Sequence, residues 1–124
     1  MRGQRGSVSI VAAVTIAVLA SLTMGCADLA RALVAVGRAD TAADAAALAA
    51  AQELAAPTGS APASVAAEYA ERNGATLVEC SCEAGATEAV VAVEVQVGPM
   101  LLVPGDRSVT GRARAVIAFP QAGA

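Results

Sequence analysis

The stretch Ser7–Ala27, SVSIVAAVTIAVLASLTMGCA, carries no charged residue, and no other feature of the chain restricts its fold so strongly. A helix needs about 20 predominantly apolar residues to cross a hydrocarbon layer of roughly 30 Å, so this stretch fits one span. The competing reading is a helix buried in a soluble core. With 124 residues, of which only 2% are aromatic, the chain offers no core large enough to wrap an uncharged helix on all sides. The hydroxyls of Ser7, Ser9, Thr15, Ser21 and Thr23 lower the hydrophobicity of the run, but each can return a hydrogen bond to the preceding helical turn. Arg2 and Arg5 stand in a basic tail, residues 1–6, ahead of the span, and basic residues are retained on the cytoplasmic side. The sequence therefore predicts a single-pass protein of the cell membrane, its N-terminus cytoplasmic and its C-terminal domain extracytoplasmic.

Beyond Asp28 the chain stays rich in alanine, the best helix former, and free of proline until Pro57. One rod from Ser7 to Ala56 is expected, with residues 28–56 as an extracytoplasmic stalk. Leu29, Leu33, Val36, Ala43, Ala47 and Leu54 recur at intervals of three, four or seven, while Arg31, Arg38, Asp40, Asp44 and Glu53 fall elsewhere. That narrow apolar stripe suits packing against a partner helix or against the protein's own small domain.

Pro57, Thr58, Gly59, Ser60 and Pro62 break the helix, which puts a linker at 57–61. A second helix follows, with Ser60 as its expected cap, Pro62 in its first turn, Val65 and Tyr69 on one face, and Asn73-Gly74 as its stop. After Gly74 the period changes from that of a helix to two. In the first strand Thr76, Val78, Cys80 and Cys82 alternate with Leu77, Glu79 and Ser81, and the Glu83–Ala86 link reads as a hairpin loop. In the second, Val91, Val93, Val95 and Val97 alternate with Val90, Glu94 and Gln96. In the third, from Ser108 to Phe119, Val109, Ala113, Ala115, Ile117 and Phe119 alternate with Thr110, Arg112 and Arg114. The predicted class is α+β: a transmembrane helix continuing into a long alanine-rich helix, then a short helix packed on a three-stranded antiparallel sheet, as an αβββ domain over 62–119 ending in a tail at 120–124.

The chemistry open to such a chain is narrow. It contains no histidine, which removes the commonest general base and metal ligand. The glycines at 98 and 105 enclose two prolines and no lysine follows, so no phosphate-binding loop exists. A net charge of -3 gives no basic field for nucleic acid, and Glu88 and Glu94 offset the arginines at 112 and 114. Neither an enzyme, nor a cofactor, nor a small-molecule substrate is expected.

The cysteines carry what reactivity there is. Glu79-Cys80-Ser81-Cys82-Glu83 pairs two thiols with two carboxylates, but a closed zinc site needs four ligands, and Cys80 and Cys82 read as small structural residues of one strand face. An extracytoplasmic setting permits a disulfide, although residues two apart in a strand lie near the upper distance limit for one. Leu22-Thr23-Met24-Gly25-Cys26 resembles the lipobox at which bacterial lipoproteins are cleaved and lipidated, with Thr23 where that pattern prefers leucine. The alternative it implies is a surface lipoprotein anchored at Cys26, its small domain binding a ligand or partner.

A short tail ending in Arg5-Gly6-Ser7, an Ala/Val span, and then RADTAADAAALAAA from Arg38 to Ala51 together resemble the TadE/TadG-like proteins of tight-adherence (Flp-type) pilus and secretion systems, in their short actinobacterial form. The resemblance implies a pilin-like fold and a pseudopilin-like structural or assembly component, whose partners are the lipid bilayer and other helical membrane components of such a system. It also points to Gly6 and Ser7 as a processing position. True prepilins carry a glutamate five residues past the cleaved glycine, where this chain has Val11.

Overall fold

The computed structural model describes residues 4–120; residues 1–3 of the expected basic tail and 121–124 of the C-terminal tail lie outside them. The order of elements is α1 (Gln4–Ala55), α2 (Pro62–Arg72), β1 (Thr76–Ser81), β2 (Glu88–Val97) and β3 (Arg107–Val116), with the strands antiparallel in the order β1-β2-β3. The class is α+β, as the change of periodicity predicts. α1 is one unbroken helix of 52 residues, roughly 80 Å long at 1.5 Å per residue.

α2 lies against β1 and α1, while β2 and β3 are covered by the upper half of α1. Residues 28–56 thus supply much of the domain's core. From Ala35 to Ala51 every buried position of α1 is an alanine: 35, 39, 42, 43, 46, 47, 49, 50 and 51. Facing them are Val91, Val93 and Val95 of β2, the largest fully buried side chains. Alanine exposes little area per side chain, so each contact contributes little transfer free energy, and density has to come from close approach of backbones. That approach is tightest where β3 crosses α1. There Gly111 lies so near Ala39 that a Cβ at 111 would overlap the Ala39 carbonyl oxygen and stand 3.1 Å from its Cβ.

α2 begins at Pro62 with Ala61 as its N-cap and no side-chain cap, so Ser60 does not play the expected role; its amide is committed elsewhere, as described below. The buried residues of α2 are Ala66 and Ala70, whereas Tyr69 is exposed. The helix stops at Asn73, and Gly74 takes a φ of +75°, a left-handed value that favours glycine.

Two strand expectations are corrected. β1 carries a bulge between Leu77 and Glu79, which pair with Val93 and Ala92 respectively, leaving Val78 unpaired and exposed. The bulge resets the alternation, so Leu77 and Cys80, three apart, face inward together. β3 ends at Val116 rather than Phe119, and Phe119 is exposed beyond it, not part of the apolar face.

Cys80 and Cys82 form a disulfide across a Cα–Cα distance of 5.4 Å. An extended strand would hold residues two apart at about 6.7 Å. Here β1 stops at Ser81, and Cys82 is the first residue of the hairpin loop. With both thiols joined, neither is left as a thiolate ligand. The closed ring is so short that it restricts the unfolded chain little, about 1.5 kcal/mol on loop-entropy grounds.

Candidate functional site

The candidate functional surface of this chain is α1 together with the loops that lock onto it. Its apolar part lies bare: Val8, Ile10, Val11, Val14, Ile16, Val18, Leu19 and Leu22 are all exposed, and none of the most apolar window is buried by the rest of the protein. A helix like this is long and apolar enough to cross a membrane. Its hydroxyls are satisfied within the helix. Thr15 donates to the Val11 carbonyl at 2.8 Å, Ser21 to Ala17 at 2.9 Å and Thr23 to Leu19 at 2.8 Å, so none of the three needs water. Gly6 and Ser7 sit in the first turns of α1, and Cys26 is a free, exposed thiol in its unbroken middle.

The apolar stripe divides into two parts. Ala43 and Ala47 are buried under the protein's own sheet, and Leu54 is half-buried beside them. Leu29, Leu33 and Val36 are bare, at 60%, 63% and 41% exposure. Together with Val11, Val18 and Leu22 they run along one side of the rod at steps of three, four or seven.

Two buried carboxylates fasten loops to this helix, and sequence reading alone did not single out either. Asp28 accepts from the amides of Leu101 at 2.7 Å and Leu102 at 2.8 Å, both in the β2–β3 loop. Arg31, one turn on, lies 3.7 Å from Asp28 and donates to the Pro99 carbonyl at 2.6 Å. At the other end, Glu53 accepts from the Thr58 amide at 2.6 Å, the Thr58 hydroxyl, and the Ser60 amide at 3.2 Å. Read by period alone, Glu53 belongs to the solvated face; its burial follows from the turn that folds back over it. The available signal was a Glu just before a Pro-Thr-Gly-Ser turn rich in free amides.

The Thr58 amide above all, then its hydroxyl and the Ser60 and Gly59 amides, hold the Glu53 carboxyl below the ordinary glutamate range despite its burial. A depressed folded-state value means that its contribution to stability is present above the unfolded value, about 4.3, and is lost as pH falls through the folded one. Glu53→Gln should therefore lower the melting temperature more at pH 7 than at pH 3, which lies below the unfolded value, so that part of the wild-type advantage is already lost there. Melting both chains at the two pH values tests this; an equal gap at both would refute it.

Comparison with known protein families finds a match over part of the chain. Residues 6–53 match the family model described as "Putative Flp pilus-assembly TadE/G-like". Over this helix the chain is similar to that family. The match spans the apolar run, Cys26, the bare part of the stripe and the RADTAADAAALAAA segment, which are the residues that carry the resemblance in the sequence. It covers less than half of the chain, and α2 and the sheet lie beyond it. Comparison with curated proteins and with solved structures found no match.

Proposed function

We propose that this protein is a membrane-anchored, pseudopilin-like structural or assembly component of a Flp/Tad-type pilus or secretion apparatus, working through helix packing rather than catalysis. One observation carries the reading: a single TadE/G-like helix keeps Leu29, Leu33 and Val36 bare while the same stripe higher up is filled by the protein's own domain. Lipid does not account for all three. With the span ending at Ala27, Leu33 and Val36 stand roughly 9 and 14 Å further along the axis at 1.5 Å per residue, past the headgroup layer of an upright helix. Another helix of the assembly is the cover we infer for them. Small residues within the span, such as Ala13 and Ala17, also permit close helix approach in lipid.

The outward placement of the C-terminal domain is supported by the two arginines ahead of the span and by the Cys80–Cys82 disulfide, which persists in oxidising compartments. A family match running through Cys26 on both sides favours a thiol in the span over a lipidated N-terminus, and the mass of the mature protein distinguishes the two.

In a cell carrying such a system, with Cys26 replaced by serine, single cysteines at 29, 33 and 36 should crosslink to other helical membrane components. Cysteines at 43 and 47, covered by the protein's own sheet, should not. Absence of adducts at all three lower positions would defeat the reading.

A further inference from the structure

The β2–β3 loop, Gly98–Asp106, contains Pro99-Met100-Leu101-Leu102-Val103-Pro104, the most apolar loop of the domain. Leu101 is 57% exposed and Leu102 50%, and Val103 is exposed as well, so three adjacent apolar side chains face outward where a soluble loop would carry polar ones. Two contacts fix their height on the rod. The Leu102 Cδ1 lies 3.7 Å from the position a Cβ would take on Gly25, two residues inside the end of the apolar run. Just beyond that end, Asp28 accepts the Leu101 and Leu102 amides, and Arg31 holds the Pro99 carbonyl.

We infer that this loop is a second membrane contact: Leu101, Leu102 and Val103 enter the outer interfacial layer of the bilayer beside the transmembrane helix and hold the domain against the lipid surface. The inference rests on α1 spanning the membrane, and its support is continuity with that span. A loop packed against Gly25 shares the depth of Gly25, about 3 Å below the end of the run at 1.5 Å per residue. That depth is the boundary between acyl chains and headgroups. Insertion of an irregular loop there would strand its amides, because little water remains to satisfy them. Asp28 already takes the amides of Leu101 and Leu102, and their side chains are left free to meet lipid. The acid at the end of the span thus acts as a clamp that sets how deep the loop sits.

The chain has no tryptophan, so single reporters can be introduced cleanly. Three full-length variants, Leu19→Trp in the span, Leu102→Trp in the loop and Ala84→Trp in the β1–β2 loop at the opposite end of β2, would be reconstituted in phosphatidylcholine/phosphatidylglycerol vesicles with or without lipids brominated high on the acyl chain. Leu101→Trp would be measured in parallel as a second loop reporter. The expected result is that the span and both loop reporters lose most of their emission to the brominated lipid while Ala84→Trp keeps its own. If the span reporter is quenched and both loop reporters are not, the loop contact is wrong and the span stands. Lack of quenching at Leu19→Trp would overturn the span and the loop contact together. Equal quenching at Ala84→Trp would replace a specific contact with general adsorption of the domain.

Discussion

Gly111→Ala should cost the domain about 3 kcal/mol or more, at or beyond the upper end of ordinary overpacking penalties. Most small-to-large changes meet the tip of a side chain that can rotate away. This one meets the Ala39 carbonyl, held in the middle of a helix, and Gly111 itself is paired to Val93 in the central strand. Neither backbone can yield without prising β3 from α1 or breaking the ladder with β2. A domain whose largest fully buried side chains are three valines has a small reserve of stability, so a loss of this size removes much of it. The test is thermal unfolding of the full chain in detergent, followed by the circular dichroism of the sheet. Gly98→Ala is the control, since nothing lies within 4 Å of a Cβ there, and it should melt with the wild type. Equal melting of Gly111→Ala and Gly98→Ala would show that the close crossing is not a constraint.

The second large effect is expected on assembly rather than on folding. Leu33→Asp combined with Val36→Asp puts two charges on the bare part of the stripe, where exposures of 63% and 41% leave room for them without disturbing the alanine core. Both positions lie outside the apolar run, so membrane insertion and the fold of residues 62–119 should survive. A carboxylate buried without a partner at a helix–helix contact costs several kcal/mol, enough to abolish a packing interaction of ordinary strength. In a cell with the corresponding apparatus, the double mutant should fractionate with membranes at wild-type levels and support no assembly. Normal assembly by that mutant would show that the bare part of the stripe makes no contact the assembly needs.

How far the sequence could be read depended on whether the deciding interactions were periodic. The apolar helix, the rod and the Val91-Val93-Val95 face are repeating patterns of similar residues, and each is where the pattern puts it. Bulge and strand end are single-residue events: Val78 drops out of register, and Phe119 lies past the last pairing of β3 with β2, with no change of composition to mark either. The disulfide depended on where β1 stops, because an uninterrupted strand would have held Cys80 and Cys82 near the upper limit for a bridge. Asp28 and Glu53 look like any helix-surface acid until the loops that cover them are folded, from 73 and 5 residues away respectively. The site was visible only as a stripe; its division into a covered part and a bare part needed the sheet in place.

The unbroken α1 also has a mechanical consequence. Because its upper half is built into the core, the domain has no pivot between itself and the membrane: the turn at 56–61 lies past the packed face, not between it and the bilayer. Orientation is therefore transmitted without slack. A tilt of about 10° at Ala27 carries Ala51 sideways by roughly 6 Å, and rotation of the buried helix about its axis sweeps the whole sheet through the same angle. With α1 in a bilayer, whatever grips the helix there steers the sheet as a handle steers a blade, and a neighbour pushing on the sheet is felt in the lipid.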